Sequence, residues 1–170
     1  GILHIRYTMA HDNILFFTNK GKVYQLKAYE IDESSRTSKG AAVVNLINIE
    51  AGEKVESFIQ YTKGDVFKYV FLTTRNGTVK KTPYSEFDNI RRSGIVAIKL
   101  DKGDELVWSN PTTGDDDVFV FTRNGKCIRF PEKLVRSLGR ATRGVRGIKL
   151  SGDDQAVGMD VVRKGSNPAL

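Results

Sequence analysis

Short runs of β-branched and aromatic residues recur along the chain, each followed by a Thr, a polar stretch and a Gly. Ile14-Leu15-Phe16-Phe17-Thr18-Asn19-Lys20-Gly21-Lys22-Val23 aligns without gaps with Val70-Phe71-Leu72-Thr73-Thr74-Arg75-Asn76-Gly77-Thr78-Val79. Both align with Val118-Phe119-Val120-Phe121-Thr122-Arg123-Asn124-Gly125-Lys126-Cys127. The three glycines stand 56 and 48 residues apart. A repeat of this length marks a propeller, a solenoid or another array. Asn76-Gly77 and Asn124-Gly125 supply the positive φ that a tight hairpin turn needs, and Lys20-Gly21 fills the same place. A β-hairpin is therefore predicted in each copy. Its second arm runs through Val23-Tyr24-Gln25-Leu26, Val79-Lys80-Lys81-Thr82 and Cys127-Ile128-Arg129-Phe130.

The leading strands do not alternate. Ile14–Phe17 and Val118–Phe121 are apolar on both faces, where a one-sided sheet would alternate apolar and polar. Such strands suit radially stacked blades, and they also suit the inner layer of a sandwich. Ile31, Phe87 and Val135 follow at equal offsets from the hairpin glycines. At a further equal offset come Arg36, Arg92 and Arg140, each in a polar loop that leads to Gly40, Gly94 or Gly144. Closing strands are predicted at Val43–Ile49, Ile95–Leu100 and Val145–Leu150. Turns at Gly52-Glu53, Gly103-Asp104 and Gly152-Asp153 lead into one more strand. The pattern gives about four strands per repeat, as in a propeller blade, and no helix beyond a turn or two. The expected fold is all-β, one unit over 1–170, with repeats at about 10–61, 66–109 and 115–163.

Composition narrows the function. The chain has 170 residues, 39% of them hydrophobic and 28% charged. Apolar runs reach only about five residues, too short for a membrane-spanning helix, and the start lacks the features of a signal peptide. A single cysteine, Cys127, leaves no internal disulfide and fits a reducing cytoplasm. Cys127 occupies the place of Val23 and Val79, so it is expected in the core.

The charge is +7, and its distribution matters more than its sum. Between Arg123 and Lys149 nine basic residues face one acid, Glu132, whereas Asp101 to Asp117 holds six acids and Lys102. Dense basic clustering is the footprint of a polyanion site. The repeated loops read Arg36-Thr37-Ser38-Lys39-Gly40, Arg91-Arg92-Ser93-Gly94 and Arg140-Ala141-Thr142-Arg143-Gly144. Arg and Lys supply charge and forked donors, and Gly lets backbone N–H groups approach phosphate oxygens. Equivalent loops on successive blades would line one rim. Arg36, Lys39, Arg91, Arg92, Arg140, Arg143 and Arg146 are the first candidate phosphate contacts, followed by Lys80, Lys81, Arg129 and Arg136. A lone basic loop is usually a solvated turn. Three at equivalent places favour a duplex held by its backbone, with salt-dependent and sequence-tolerant binding.

No catalytic constellation is present, and no metal site or cofactor is expected. His4 and His11 have no Cys or paired carboxylates at ligand spacing, and Asp115-Asp116-Asp117 reads as a solvated loop. The phosphate-cradling G-x-x-x-x-G-K-[ST] loop and the nucleophile elbow are both missing. The competing class is a protein-interaction propeller that docks acidic partners through its basic loops.

At His11–Phe17, Asn45-Leu46-Ile47, Asn76–Thr82, Val96–Leu100, Gly103–Leu106 and Thr142–Leu150 the chain resembles the C-terminal domain of bacterial DNA gyrase A. The likeness covers essentially the whole chain. The homologous topoisomerase IV domain, which serves substrate selection, is the near alternative. The resemblance implies a β-pinwheel, a disc of blades that exchange strands with their neighbours. It implies a non-catalytic module that wraps duplex DNA on its outer rim and so supports negative supercoiling by a type II topoisomerase. The implied partners are duplex DNA, the rest of gyrase A and gyrase B, in the bacterial cytoplasm at the nucleoid. The family disc has six blades, against three repeats counted here. Met159–Gly165 looks like the start of a fourth, and Arg91-Arg92-Ser93-Gly94 only echoes the family's gyrase box, expected before residue 1. The chain is thus expected to be a fragment with an open blade edge.

Overall fold

The computed structural model describes residues 13–31, 47–62 and 64–163. Within them are eleven strands and three short 3-10 turns, Ala28–Glu30, Tyr84–Phe87 and Glu132–Leu134. The three predicted hairpins are present. They are β1 (Asn13–Thr18) with β2 (Lys22–Lys27), β4 (Tyr69–Thr74) with β5 (Thr78–Pro83), and β8 (Asp117–Thr122) with β9 (Cys127–Pro131). Each is closed by a bond from the turn glycine N–H to a threonine carbonyl: Gly21 to Thr18, Gly77 to Thr74 and Gly125 to Thr122.

The sheets and the sequence repeats do not coincide. β3 (Val55–Tyr61), β7 (Leu106–Thr112) and β11 (Ala156–Val162) each flank the leading strand of their own hairpin. The other edge is filled from the next repeat. β6 (Ile95–Val96) pairs with β2, and β10 (Val145–Arg146) pairs with β5. The sheet orders are β3-β1-β2-β6, β10-β5-β4-β7 and β11-β8-β9. This is a pinwheel-like array of antiparallel sheets, with each donated strand stitching one repeat to the one before. Along β9 no strand is donated among the described residues.

The closing strands predicted at Ile95–Leu100 and Val145–Leu150 are shorter than those six residues because the chain leaves the ladder after two, and most of the one predicted at Val43–Ile49 lies outside the described residues. The Ala97 and Ile98 amides turn onto the Gly21 carbonyl, and the Gly147 and Ile148 amides onto that of Gly77. Ile98 and Ile148 then enter the core, each 2% exposed. The hairpin glycines are pressed by this arrangement. Gly77 has φ +88°, and a Cβ there would stand 2.7 Å from the Ile148 carbonyl oxygen. Gly125 has the same φ of +88° with nothing within 4 Å of that position.

Packing follows the stitching. One apolar cluster joins Leu15, Phe17, Val23 and Ile59 of the first sheet to Val70, Leu72 and Leu106 of the second. Another joins Phe71 and Val79 of the second sheet to Val118, Val120, Ala156 and Met159 of the third. β1 and β4 are thus buried on both faces, and Ile31, Phe87 and Val135 are buried, as their equal offsets predict.

The third hairpin departs from expectation. Val118 and Val120 are buried, but Phe121 is 40% exposed and Cys127 lies at the surface. The core position expected for Cys127 is therefore corrected. Val23 and Val79 are covered because β6 and β10 lie against β2 and β5, while no described strand lies against β9.

Candidate nucleic-acid interface

Both described basic loops lie on the repeat that precedes them. The first connects the Tyr84–Phe87 turn to β6. It closes through the Gly94 N–H on the Arg91 carbonyl, and the Ile90 amide bonds to the Gln25 side chain on β2. Gly94, at φ +79°, sits on the Tyr24 ring, where a Cβ would come within 2.6 Å of a ring carbon. Beneath it the Tyr24 hydroxyl donates to Glu53 at 2.8 Å. Burial raises the Glu53 pKa, but bonds from the Thr18 hydroxyl, the Glu50 amide and Tyr24 outweigh it and leave the carboxyl below its usual range. Arg91 and Arg92 are exposed. Arg92 lies 3.8 Å from Glu30, and Arg91 has no ion pair with a described residue.

The second loop runs from Gly139 to Gly144 over β5. Leu138 donates its amide to the Lys81 carbonyl, and the Arg140 amide bonds to Glu86 at 3.2 Å. Thr142 closes the turn onto the Gly139 carbonyl, and its own carbonyl accepts from the Lys99 amide. The Arg140 guanidinium reaches the Val96 carbonyl at 2.9 Å, in the strand that leaves the Arg91–Gly94 loop. The two basic loops therefore adjoin. Arg143 pairs with Asp101 at 2.5 Å, both side chains being about 60% exposed. Arg146, on β10, is exposed and has no ion pair with a described residue, and the same holds for Arg136.

Two predicted contacts are corrected. Lys80 is 0% exposed, its ammonium bonded to the carbonyls of Ala97, Arg140 and Thr142. Lys81 is 6% exposed; its ammonium donates to the Glu132 carbonyl at 3.1 Å and lies over the Tyr69 ring. Both sit on β5, which the next repeat covers, so neither ammonium reaches a phosphate directly. Arg129 is exposed on β9, 2.7 Å from Asp117 and stacked on Phe119. Arg36 and Lys39 lie outside the described residues, as do His4 and His11. The exposed ion pairs of Arg92, Arg129 and Arg143 contribute at most about 1 kcal/mol each, so a phosphate can displace the carboxylates.

Lys99 was not among the candidates. It is exposed, and its backbone holds Thr142 of the second loop. The repeated Ile98-Lys99-Leu100 and Ile148-Lys149-Leu150 carried the signal, since both place a lysine just after a buried isoleucine.

Among the described residues no three His, Cys, Asp or Glu side chains gather as metal ligands. The Asp115-Asp116-Asp117 run has separate roles. Asp115 pairs with Lys133, Asp117 pairs with Arg129, and Asp116 accepts from the Thr113 amide and hydroxyl. No helix among the described residues is long and apolar enough to cross a membrane.

The family profile described as "DNA gyrase C-terminal domain, beta-propeller" matches residues 12–61, 68–113 and 116–163. The chain is 42% identical over 153 residues to the DNA gyrase A protein of Salmonella typhimurium, covering 90% of this chain and 17% of that protein. It is 48% identical over 147 residues to the DNA gyrase A protein of Halalkalibacterium halodurans, covering 86% of this chain and 18% of that protein. The chain thus spans under a fifth of the length of these relatives. A solved C-terminal domain of DNA topoisomerase IV superposes with a TM-score of 0.79 at 29% identity, over 91% of this chain and 48% of that one. A solved DNA gyrase A C-terminal domain superposes with a TM-score of 0.74 at 26% identity, over 92% of this chain and 50% of that one. By its three profile matches and its likeness to gyrase A along nearly all of its length, the chain belongs to the DNA gyrase C-terminal domain family.

Proposed function

We propose that this chain is a non-catalytic duplex-DNA-binding and wrapping module of a bacterial type II topoisomerase of the gyrase kind. The observation that carries the reading is the junction of the two basic loops. Arg91 and Arg92 lie in one, Arg140 and Arg143 in the next, and Arg140 reaches the strand between them. Because each loop rests on the preceding repeat, the stitching that builds the fold also sets the loop spacing. A duplex lying along both loops meets phosphate contacts in succession and bends with the array. Arg146, Arg136, Lys99, Lys149 and Arg129 are proposed as further phosphate contacts. Arg36 and Lys39 are the corresponding proposal for the first repeat.

Backbone contact calls for no base readout, so the site is sequence-tolerant. The module works with the remainder of gyrase A and with gyrase B, in the cytoplasm at the nucleoid, where a wrapped duplex presents a neighbouring segment for strand passage and supports negative supercoiling.

Titration with a random-sequence duplex over a range of salt tests this. Each neutralised phosphate steepens the log–log salt dependence by about 0.9, so engagement of four to six arginines gives a slope of roughly −4 to −5. Absence of salt-sensitive binding at low ionic strength contradicts the proposal and favours an acidic protein partner for the basic loops.

A further inference from the structure

Lys80 is a cation that neither the fold nor direct phosphate contact explains. Counted from the hairpin glycines it occupies the position of Tyr24 and Ile128. A tyrosine and an isoleucine fill the same place in the other copies, so the hairpin itself does not require a charge there. In the second copy the side chain is fully buried, and no described carboxylate pairs with it. Three backbone carbonyls surround the ammonium instead. Those of Arg140 and Thr142 belong to the basic loop, and that of Ala97 follows β6. A buried charge without a counterion costs free energy unless its donors are all met. Here two are met by the backbone of the loop that displays Arg140 and Arg143, and one by Ala97.

Resting on the DNA-binding reading, we infer that Lys80 is a positioning residue for phosphate: its ammonium draws the Arg140 and Thr142 carbonyls inward, fixes the outward aim of the Arg140 and Arg143 side chains, and leaves an unneutralised positive charge beneath the bound backbone. The chemistry of the ligand is a closely spaced row of phosphate anions lying over the loop. The geometry separates two roles. Arg140 and Arg143 reach solvent, and Lys80 works from below through the backbone.

A pH dependence follows. Burial, aided by the nearby Arg140 charge and opposed by Glu86, lowers the Lys80 pKa to about 8. Since the folded value lies below the unfolded one, this lysine costs the fold stability at neutral pH, and the cost is relieved as pH rises from about 8 through the ordinary lysine range near 10.4. DNA acts in the other sense. Phosphates above the loop favour the charged form, so binding at pH 8 to 9 takes up protons, and affinity falls as pH rises through that window, by at most about tenfold per pH unit.

The test uses the whole chain and a random-sequence duplex, with the affinity of wild type and Lys80→Met followed from pH 7 to 9 and in rising salt. Wild type is expected to bind, to weaken above pH 8, and to take up protons when titration heats are compared in buffers of different ionisation enthalpy. Lys80→Met is expected to bind more weakly at pH 7, with a salt slope smaller by about 0.9 or more, and to lack the added pH dependence. A folded Lys80→Met variant with wild-type affinity, slope and pH profile overturns the inference and leaves the DNA-binding reading standing. Failure of wild type to bind the duplex overturns both. Should the variant not fold, the wild-type chain carrying 13C-labelled lysine decides by NMR. The Lys80 ε-carbon should titrate near 8 and move upward with duplex, and a signal that duplex leaves unmoved overturns the inference.

Discussion

Replacing Arg140 and Arg143 together by Ala is expected to weaken binding of every duplex sequence about equally, by roughly 10- to 100-fold near 0.1 M salt. The salt slope should shrink by about 1.8, because two phosphate contacts are lost. Arg143 is exposed, Arg140 is half-buried with its guanidinium on the Val96 carbonyl, and neither belongs to the apolar clusters that hold the sheets together. The loop backbone remains held by Lys80, by the Lys99 amide on Thr142 and by Leu138 on β5. The thermal midpoint should therefore move little. Fluorescence anisotropy with two unrelated duplexes at several salt concentrations checks this. A loss confined to one sequence would mean that these arginines read base edges, and the backbone account would be wrong.

The second large effect concerns the stitching. Gly77→Ala is expected to destabilise the fold by about 2–4 kcal/mol, and Gly125→Ala by only about 1 kcal/mol. The two glycines share φ +88°, so the cost of a side chain in the left-handed region is common to both. They differ in their surroundings. At Gly77 an added Cβ meets the Ile148 carbonyl and side chain of the docked segment, and at Gly125 it meets open space. The difference between the variants thus reports the docking of β10 on the second sheet. Urea unfolding of the pair measures it, and equal losses would show that the donated strand contributes little.

The strongest sequence signals came from positions counted from the turn glycines. Equal offsets found the three hairpins, the buried Ile31, Phe87 and Val135, and the loops that carry Arg92 and Arg140. Strand exchange was out of reach of periodicity. A two-residue strand such as Ile95–Val96 has the same local pattern whether it pairs with its own hairpin or with the one before it. Only the close contact at Gly21 and Gly77 decides which. The resemblance to the family supplied that feature, and the pairing of β6 with β2 shows it in this chain.

Lys80 and Lys81 were misread for a related reason. Charge on a strand next to a hairpin turn reads as solvent-facing, yet β5 lies beneath the following repeat. The alignment held a warning for one of them, because Tyr24 and Ile128 stand where Lys80 stands. For Lys81 the equivalents are Gln25 and Arg129, which gave no such sign. Cys127 erred in the opposite direction. Its type and place matched Val23 and Val79, but its burial depends on a strand laid against β9, which no described segment supplies.

Wrapping, beyond binding, is the central claim, and the linking number of DNA reads it directly. Nicked plasmid is sealed by ligase with increasing amounts of the chain, then freed of protein and resolved by topoisomer. The account predicts a progressive shift of the distribution in one direction, abolished by high salt and reduced in the Arg140→Ala, Arg143→Ala double variant. An unshifted distribution, under conditions where the chain is shown to be bound to the plasmid, would contradict it.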